Sequence, residues 1–121
     1  MKLKDVTFKE LLLEDIFLWE MANLIKSRTG LPMNIYISTR DSVKDRHGPR
    51  IKVMTTHSNR FNAQRLTPVG LSLNPTDFLG KLSPDDFSEV VKFIQANHDI
   101  LVKFWNKRID IGEVLQQLKK V

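Results

Sequence analysis

Two stretches decide the fold: Met33-Asn34-Ile35-Tyr36-Ile37-Ser38-Thr39-Arg40 and Arg50-Ile51-Lys52-Val53-Met54-Thr55-Thr56. In the first, Met33, Ile35 and Ile37 point one way, and Asn34, Tyr36, Ser38 and Arg40 point the other. In the second, Ile51, Val53 and Thr55 share a face opposite Arg50, Lys52, Met54 and Thr56. A period of two places alternate side chains on opposite sides of a strand. The polar run Asp41 to Pro49 joins the two stretches, which makes them a hairpin with one apolar and one polar face. A second loop, Ser58 to Gln64, leads to Val69, Leu71 and Leu73, which alternate with Gly70 and Ser72 and suggest a third strand. Pro68 belongs at the start of that strand or on an edge, because it cannot donate to a ladder.

Helical patterns flank this zone. Residues 1 to 30 read as helix. Thr7 and Glu10 form a capping box, Val6 and Leu11 a hydrophobic staple, and Phe8, Leu11, Leu12, Ile16, Trp19, Leu24 and Ile25 an apolar stripe. Gly30 and Pro32 close it. Residues 83 to 121 read as helix again. Ser83 is the N-cap, Pro84 takes the first helical position, and Asp85 and Asp86 suit the positive end of the helix dipole. Phe87, Val91, Ile94, Leu101 and Trp105 follow at helical spacing, with Phe93 off the stripe and a candidate partner contact. Asp110 and Glu113 form another capping box and open a short final helix through Val114, Leu115 and Leu118. The expectation is one α+β domain over residues 1–121: an N-terminal helix, a small antiparallel sheet of about three strands, and two C-terminal helices packed on one sheet face.

Composition narrows the chemistry. The chain has 121 residues, 41% of them hydrophobic and 27% charged, which suits a globular domain able to bury a core. It contains no Cys, which excludes disulfides, thiolate metal sites and Cys nucleophiles. No apolar run is long enough to span a membrane, and the apolar stretch after Lys2 and Lys4 carries Glu14, Asp15 and Glu20, unlike a signal peptide. A cytoplasmic location is expected.

The net charge of +5 is unevenly spread. Residues 21–70 hold nine Lys or Arg against two acids, residues 1–20 hold three against five, and residues 71–121 hold seven of each. The excess lies in the hairpin zone. Its polar face would show Tyr36, Ser38, Arg40, Arg50 and Lys52, and the loops add Lys44, Arg46, His47, Arg60 and Arg65. Cations with an aromatic on a sheet face can track a phosphate backbone and stack a base. The competing reading is a solvated face whose charges discourage edge pairing.

Catalytic motifs are sparse. His47, His57 and His98 show no H-x-x-x-H or H-E-x-x-H spacing, so no metal is expected. His98 reads as a boundary residue of the long helix. No P-loop, dinucleotide fingerprint or nucleophile elbow is present, and no cofactor is implied. A metal-independent ribonuclease of the toxin type needs a proton acceptor, a proton donor and cations on the phosphate, which His47, His57 and Tyr36 with Arg50 and Lys52 can supply.

Phe93-Ile94, Asn97, Leu101, Trp105 and Ile109, together with His47-Gly48-Pro49-Arg50-Ile51-Lys52-Val53, resemble small bacterial and phage-borne proteins of unknown function. In those a β-hairpin precedes a C-terminal helix. The resemblance spans roughly residues 33–57 and 87–109. It implies an α+β fold and a bacterial or mobile-element setting, and no activity. Many such relatives carry a His-rich loop where Arg50 and Lys52 stand here, so no metal role carries over.

Three functions are therefore expected, in order. The first is a non-enzymatic protein that binds RNA or DNA through Tyr36, Arg40, Arg46, Arg50, Lys52, Arg60 and Arg65. The second is a ribonuclease using the same face. The third is a phage- or plasmid-encoded interaction module or inhibitor that docks on an acidic protein.

Overall fold

The computed structural model describes residues 21–40 and 48–121. Four strands, β1 (Ala22–Leu24), β2 (Ile35–Ile37), β3 (Arg50–Met54) and β4 (Leu66–Gly70), form one antiparallel sheet in the order β1-β2-β3-β4. The helices are α1 (Lys26–Thr29), α2 (Pro84–Trp105) and α3 (Ile111–Gln117), with a 3₁₀ turn at Ala63–Arg65.

The hairpin pairs as the sequence predicts and its expected inward face is buried, but the face expected to be polar is also covered at Asn34, Tyr36 and Met54. Ile35 pairs with Val53, and Tyr36 with Lys52. Ile35, Ile37, Ile51, Val53 and Val69 are fully or almost fully buried in one core with Val90, Phe93, Ile94 and Leu101 of α2 and Val114 of α3. The two C-terminal helices thus cover the apolar face of an α+β sheet. At about 25 cal/mol per Å² of apolar surface, burying each such side chain contributes roughly 1.5–3 kcal/mol.

Both ends of the sheet depart from the expectation. The sequence extends the first helix to residue 30, yet Ala22–Leu24 is an edge strand paired with β2, so the sheet has four strands rather than three. Pairing lets Leu24 enter the core beside Ile35, a tertiary gain that overrides helical periodicity. The expected N-terminal cap, staple and stripe up to residue 20 lie outside the described residues. The last strand is also displaced. It runs from Leu66 to Gly70, with Leu71 buried just beyond it and Leu73 exposed.

Pro68 sits within β4 because β4 is at the sheet edge. Its carbonyl accepts from Phe78 N–H at 3.0 Å, away from β3. In a strand a residue's N–H and C=O point to the same side, so the missing donor costs β3 nothing. Gly70 N–H donates to Thr76 O at 2.9 Å, and Val69 bridges Asp77. The 76–78 segment thereby covers part of the outer edge of β4. Asp77 fixes this segment: it accepts from Thr67 Oγ1 at 2.6 Å and from Leu82 N–H at 2.8 Å.

The long helix starts as expected, with Ser83 Oγ accepting from Asp86 N–H at 3.2 Å and Pro84 at the first position. Its end carries no glycine. Lys107 N–H donates to Phe104 O at 2.9 Å and Arg108 N–H to Lys103 O at 2.8 Å, a Schellman closure with Lys107 held at φ 61°. The Asp110–Glu113 capping box forms in full and opens α3. Phe93, expected off the stripe, is fully buried, so it is a core residue and not a partner contact.

The chain beyond α3 returns to α2 and α1. Asn97, 3% exposed, donates from Nδ2 to Lys119 O at 2.9 Å and accepts at Oδ1 from Lys119 N–H at 2.7 Å. Val121 N–H donates to Thr29 O at 2.9 Å. Gly30, at φ 80°, makes room: a Cβ there would lie 2.0 Å from Val121 O. No helix of the described residues is long and apolar enough to cross a membrane.

Candidate nucleic-acid interface

Antiparallel register sorts the expected binding residues into two ends of the sheet. β2 ends where β3 begins, so Arg40 and Arg50 lie at one end. β3 ends where β4 begins, so His57, Arg60 and Arg65 lie at the other. Tyr36 and Lys52 pair across the middle.

At the first end, Arg50 is built into the fold. The Arg50 guanidinium lies 5.1 Å from the centre of the Trp105 ring and donates from Nη1 to Gly48 O at 3.0 Å. Such a cation–π contact contributes about 0.5–1 kcal/mol. Arg40 is exposed, and its backbone N–H donates to Trp105 O at 2.9 Å. An open cleft of about 470 Å³ lies at this end, walled by Met21, Phe104, Ile109 and Ile111 and also lined by Lys107 and Arg108.

The middle is half-closed. Tyr36 is 8% exposed, and burial pushes its phenol above the usual value, so it stays protonated at neutral pH. Lys52 is partly buried, and loss of hydration lowers its ammonium to about 8. The expected open platform centred on Tyr36 is therefore not an open aromatic face.

The second end is different. The loop from His57 to Arg65 is exposed throughout. Arg60 and Arg65 both project from it, and α1 at the same end of the sheet adds Arg28, also exposed. Lys26 Nζ donates to His57 O and ties α1 to the loop. Local bonds hold the loop's shape. Arg60 N–H donates to Ser58 Oγ at 3.0 Å, Gln64 N–H to Asn62 Oδ1 at 2.9 Å, and Thr55 N–H to Arg65 O at 2.7 Å.

His57 Nε2 meets both carboxylate oxygens of Asp86, at 2.9 and 3.0 Å, with the His side chain 56% and the Asp side chain 14% exposed. Its Nδ1 has no partner among the described residues. Asp86 thus does more than suit the helix dipole: it orients an imidazole whose other nitrogen is open, as a general base requires. Arg46 and His47 lie outside the described residues.

Sequence alternation could not find Phe61, which stands between Arg60 and Asn62. It is 43% exposed, and its ring meets Tyr36 at 5.2 Å with the planes at 76°. The one trace in the sequence is the Arg60-Phe61 pair set among turn residues. Comparison of the chain with protein families, with curated proteins and with solved structures finds no match in any of the three.

Proposed function

We propose that this chain is a small non-enzymatic cytoplasmic protein that binds nucleic acid at the sheet end formed by α1 and the 57–65 loop. One observation carries this: Arg28, Arg60 and Arg65 are all exposed at that end, and none has a carboxylate partner among the described residues. Asp86, which meets this loop, faces His57. Unpaired cations on a held loop neutralise phosphates without first breaking internal ion pairs. Arg50 and Lys52, which the sequence places in the interface, serve packing as well as charge.

The test is the Arg60→Ala/Arg65→Ala double variant. Both side chains are exposed, so its thermal melt should match the wild type. Its affinity for RNA or DNA should fall, and the slope of log K against log salt should flatten by about 1–2. An unchanged affinity and slope would remove the loop from the interface.

The His57–Asp86 pair favours a second reading, a metal-independent ribonuclease. His57 would take the proton from a ribose hydroxyl while Asp86 holds its ring, with the protonated Tyr36 as donor to the leaving oxygen. RNA left whole after long incubation with the wild type removes this reading. Cleavage abolished by His57→Ala, with the melt intact, establishes it.

A further inference from the structure

We infer that the interface selects unpaired bases, so that its ligand is single-stranded nucleic acid; this rests on the binding function proposed above. Phe61 projects from the same loop as Arg60 and Arg65 and keeps 43% of its surface exposed. An edge-to-face contact with Tyr36 covers at most one face of its ring. Tyr36 is itself fixed in β2, opposite Lys52, so the Phe61 ring is propped against a rigid support.

The surrounding bonds at Ser58, Asn62 and Arg65 hold the loop before any ligand arrives, which reduces the ordering cost of binding. The result is one held loop that carries an exposed aromatic and two exposed arginines, a set that can stack a base and neutralise phosphates. In a duplex the faces of the bases are buried against each other. Phe61 then finds only backbone and groove edges, and the arginines alone contribute. A single strand offers both a phosphate chain and free base faces, so it alone engages all three side chains.

The distinguishing experiment measures binding of an unstructured RNA 12-mer, its DNA equivalent and the matching duplexes, to the wild type and to Phe61→Leu, Phe61→Trp and Arg60→Ala. Leucine keeps the apolar bulk and removes stacking. We expect the wild type to prefer single strands. Phe61→Leu should lose roughly 5- to 150-fold on them, the range for one base–aromatic stack, and less than about 2-fold on duplex. Phe61→Trp should retain single-strand affinity, with a new emission component quenched on binding. Arg60→Ala should weaken both ligands. Equal binding of single strands and duplexes, with Phe61→Leu unchanged on each, would overturn strand selection and leave nucleic-acid binding standing. A wild type that binds neither at low salt would overturn both.

Discussion

Replacing Asn97 by Ala should loosen the last residues of the chain from the fold. Asn97 is buried in the middle of α2, and its amide makes both main-chain bonds to Lys119, at 2.7 and 2.9 Å, as well as one to Phe93 O at 3.0 Å. The Phe93 carbonyl lies within the helix ladder, so losing that bond costs little. The two bonds to Lys119 have no substitute. At about 1 kcal/mol net for each, plus the lost packing of the amide, Asn97→Ala should cost about 2–3 kcal/mol. For a domain of this size that corresponds to a fall in Tm of roughly 8–12 °C. Circular dichroism melts and urea titration measure it, and hydrogen exchange at the Lys119 amide locates it. Gly30→Ala provides the control. Its Cβ would collide with Val121 O and its φ is left-handed, so it should displace the same tail from the other side. If one tail links the two positions, the double variant should lose about 1 kcal/mol less than the sum of the singles. A Tm within 2 °C of the wild type for Asn97→Ala, or strict additivity with Gly30→Ala, would refute the tail as a clamp between α2 and α1.

Burial pushes the Asp77 carboxyl up, but hydrogen bonds from Thr67 and from the backbone at Leu82, Leu79 and Gly80 outweigh it and hold Asp77 below its usual value of 3.8. Its contribution should be fully present above that value and be lost as pH falls through the lower folded value, so the acid limb of the wild-type stability curve should flatten in Asp77→Asn; an identical limb in both proteins refutes this. Lys52, lowered to about 8 by burial, binds its proton less tightly when folded, so its effect makes stability rise with pH between about 8 and 10.5; carbon-13 titration of the lysine side chains should show one resonance moving near 8, and the idea fails if all move above 10. Lys107→Gly should relieve the left-handed backbone at the end of α2 and stabilise the chain by about 1 kcal/mol, read as a higher urea midpoint; a lower midpoint would show that the lysine side chain contributes more than its backbone strain costs. Ser83→Ala removes the acceptor for Asp86 N–H and should cost about 1 kcal/mol in the same assay, whereas no change would mean water replaces the cap.

Much of the fold was legible because its signals are local. The pairing of the hairpin strands, Ser83-Pro84 and the Asp110–Glu113 box each state a conformation within a few residues, and each is present. What stayed hidden depends on distant partners. Ala22–Leu24 fits a helical stripe as well as a strand, and only the open edge of β2 decides between them. Phe93 falls off the stripe counted from Phe87 and Val91, but Val90 and Phe93 are buried while Phe87 and Val91 are half-exposed. The true stripe is rotated by the need to meet the sheet. The helix stop at Lys107 has no glycine to mark it. At the candidate site, the sequence located the surplus charge and His57 but could not see Asp86, 29 residues away, or Phe61, which belongs to no periodic pattern.

Charge alone would have treated the nine cations of residues 21–70 as one surface. The register divides those among the described residues, and the division has a physical cause. At the Trp105 end, α2 offers an aromatic ring and the segment entering β3 offers the Gly48 carbonyl, so Arg50 is drawn into packing and its charge is used inside the fold. At the opposite end, the chain leaves the sheet in a loop fastened by its own Ser and Asn side chains, and the arginines there have no carboxylate partner among the described residues. A cation used for packing is lost with stability, and one left open is lost with binding. Arg50→Ala should therefore lower the melt by the few degrees that a cation–π contact and one hydrogen bond are worth, whereas Arg60→Ala should leave the melt alone and change affinity. The reverse pattern, a stable Arg50→Ala that fails to bind nucleic acid beside an Arg60→Ala that binds normally, would move the interface to the Trp105 end and with it the role of Phe61.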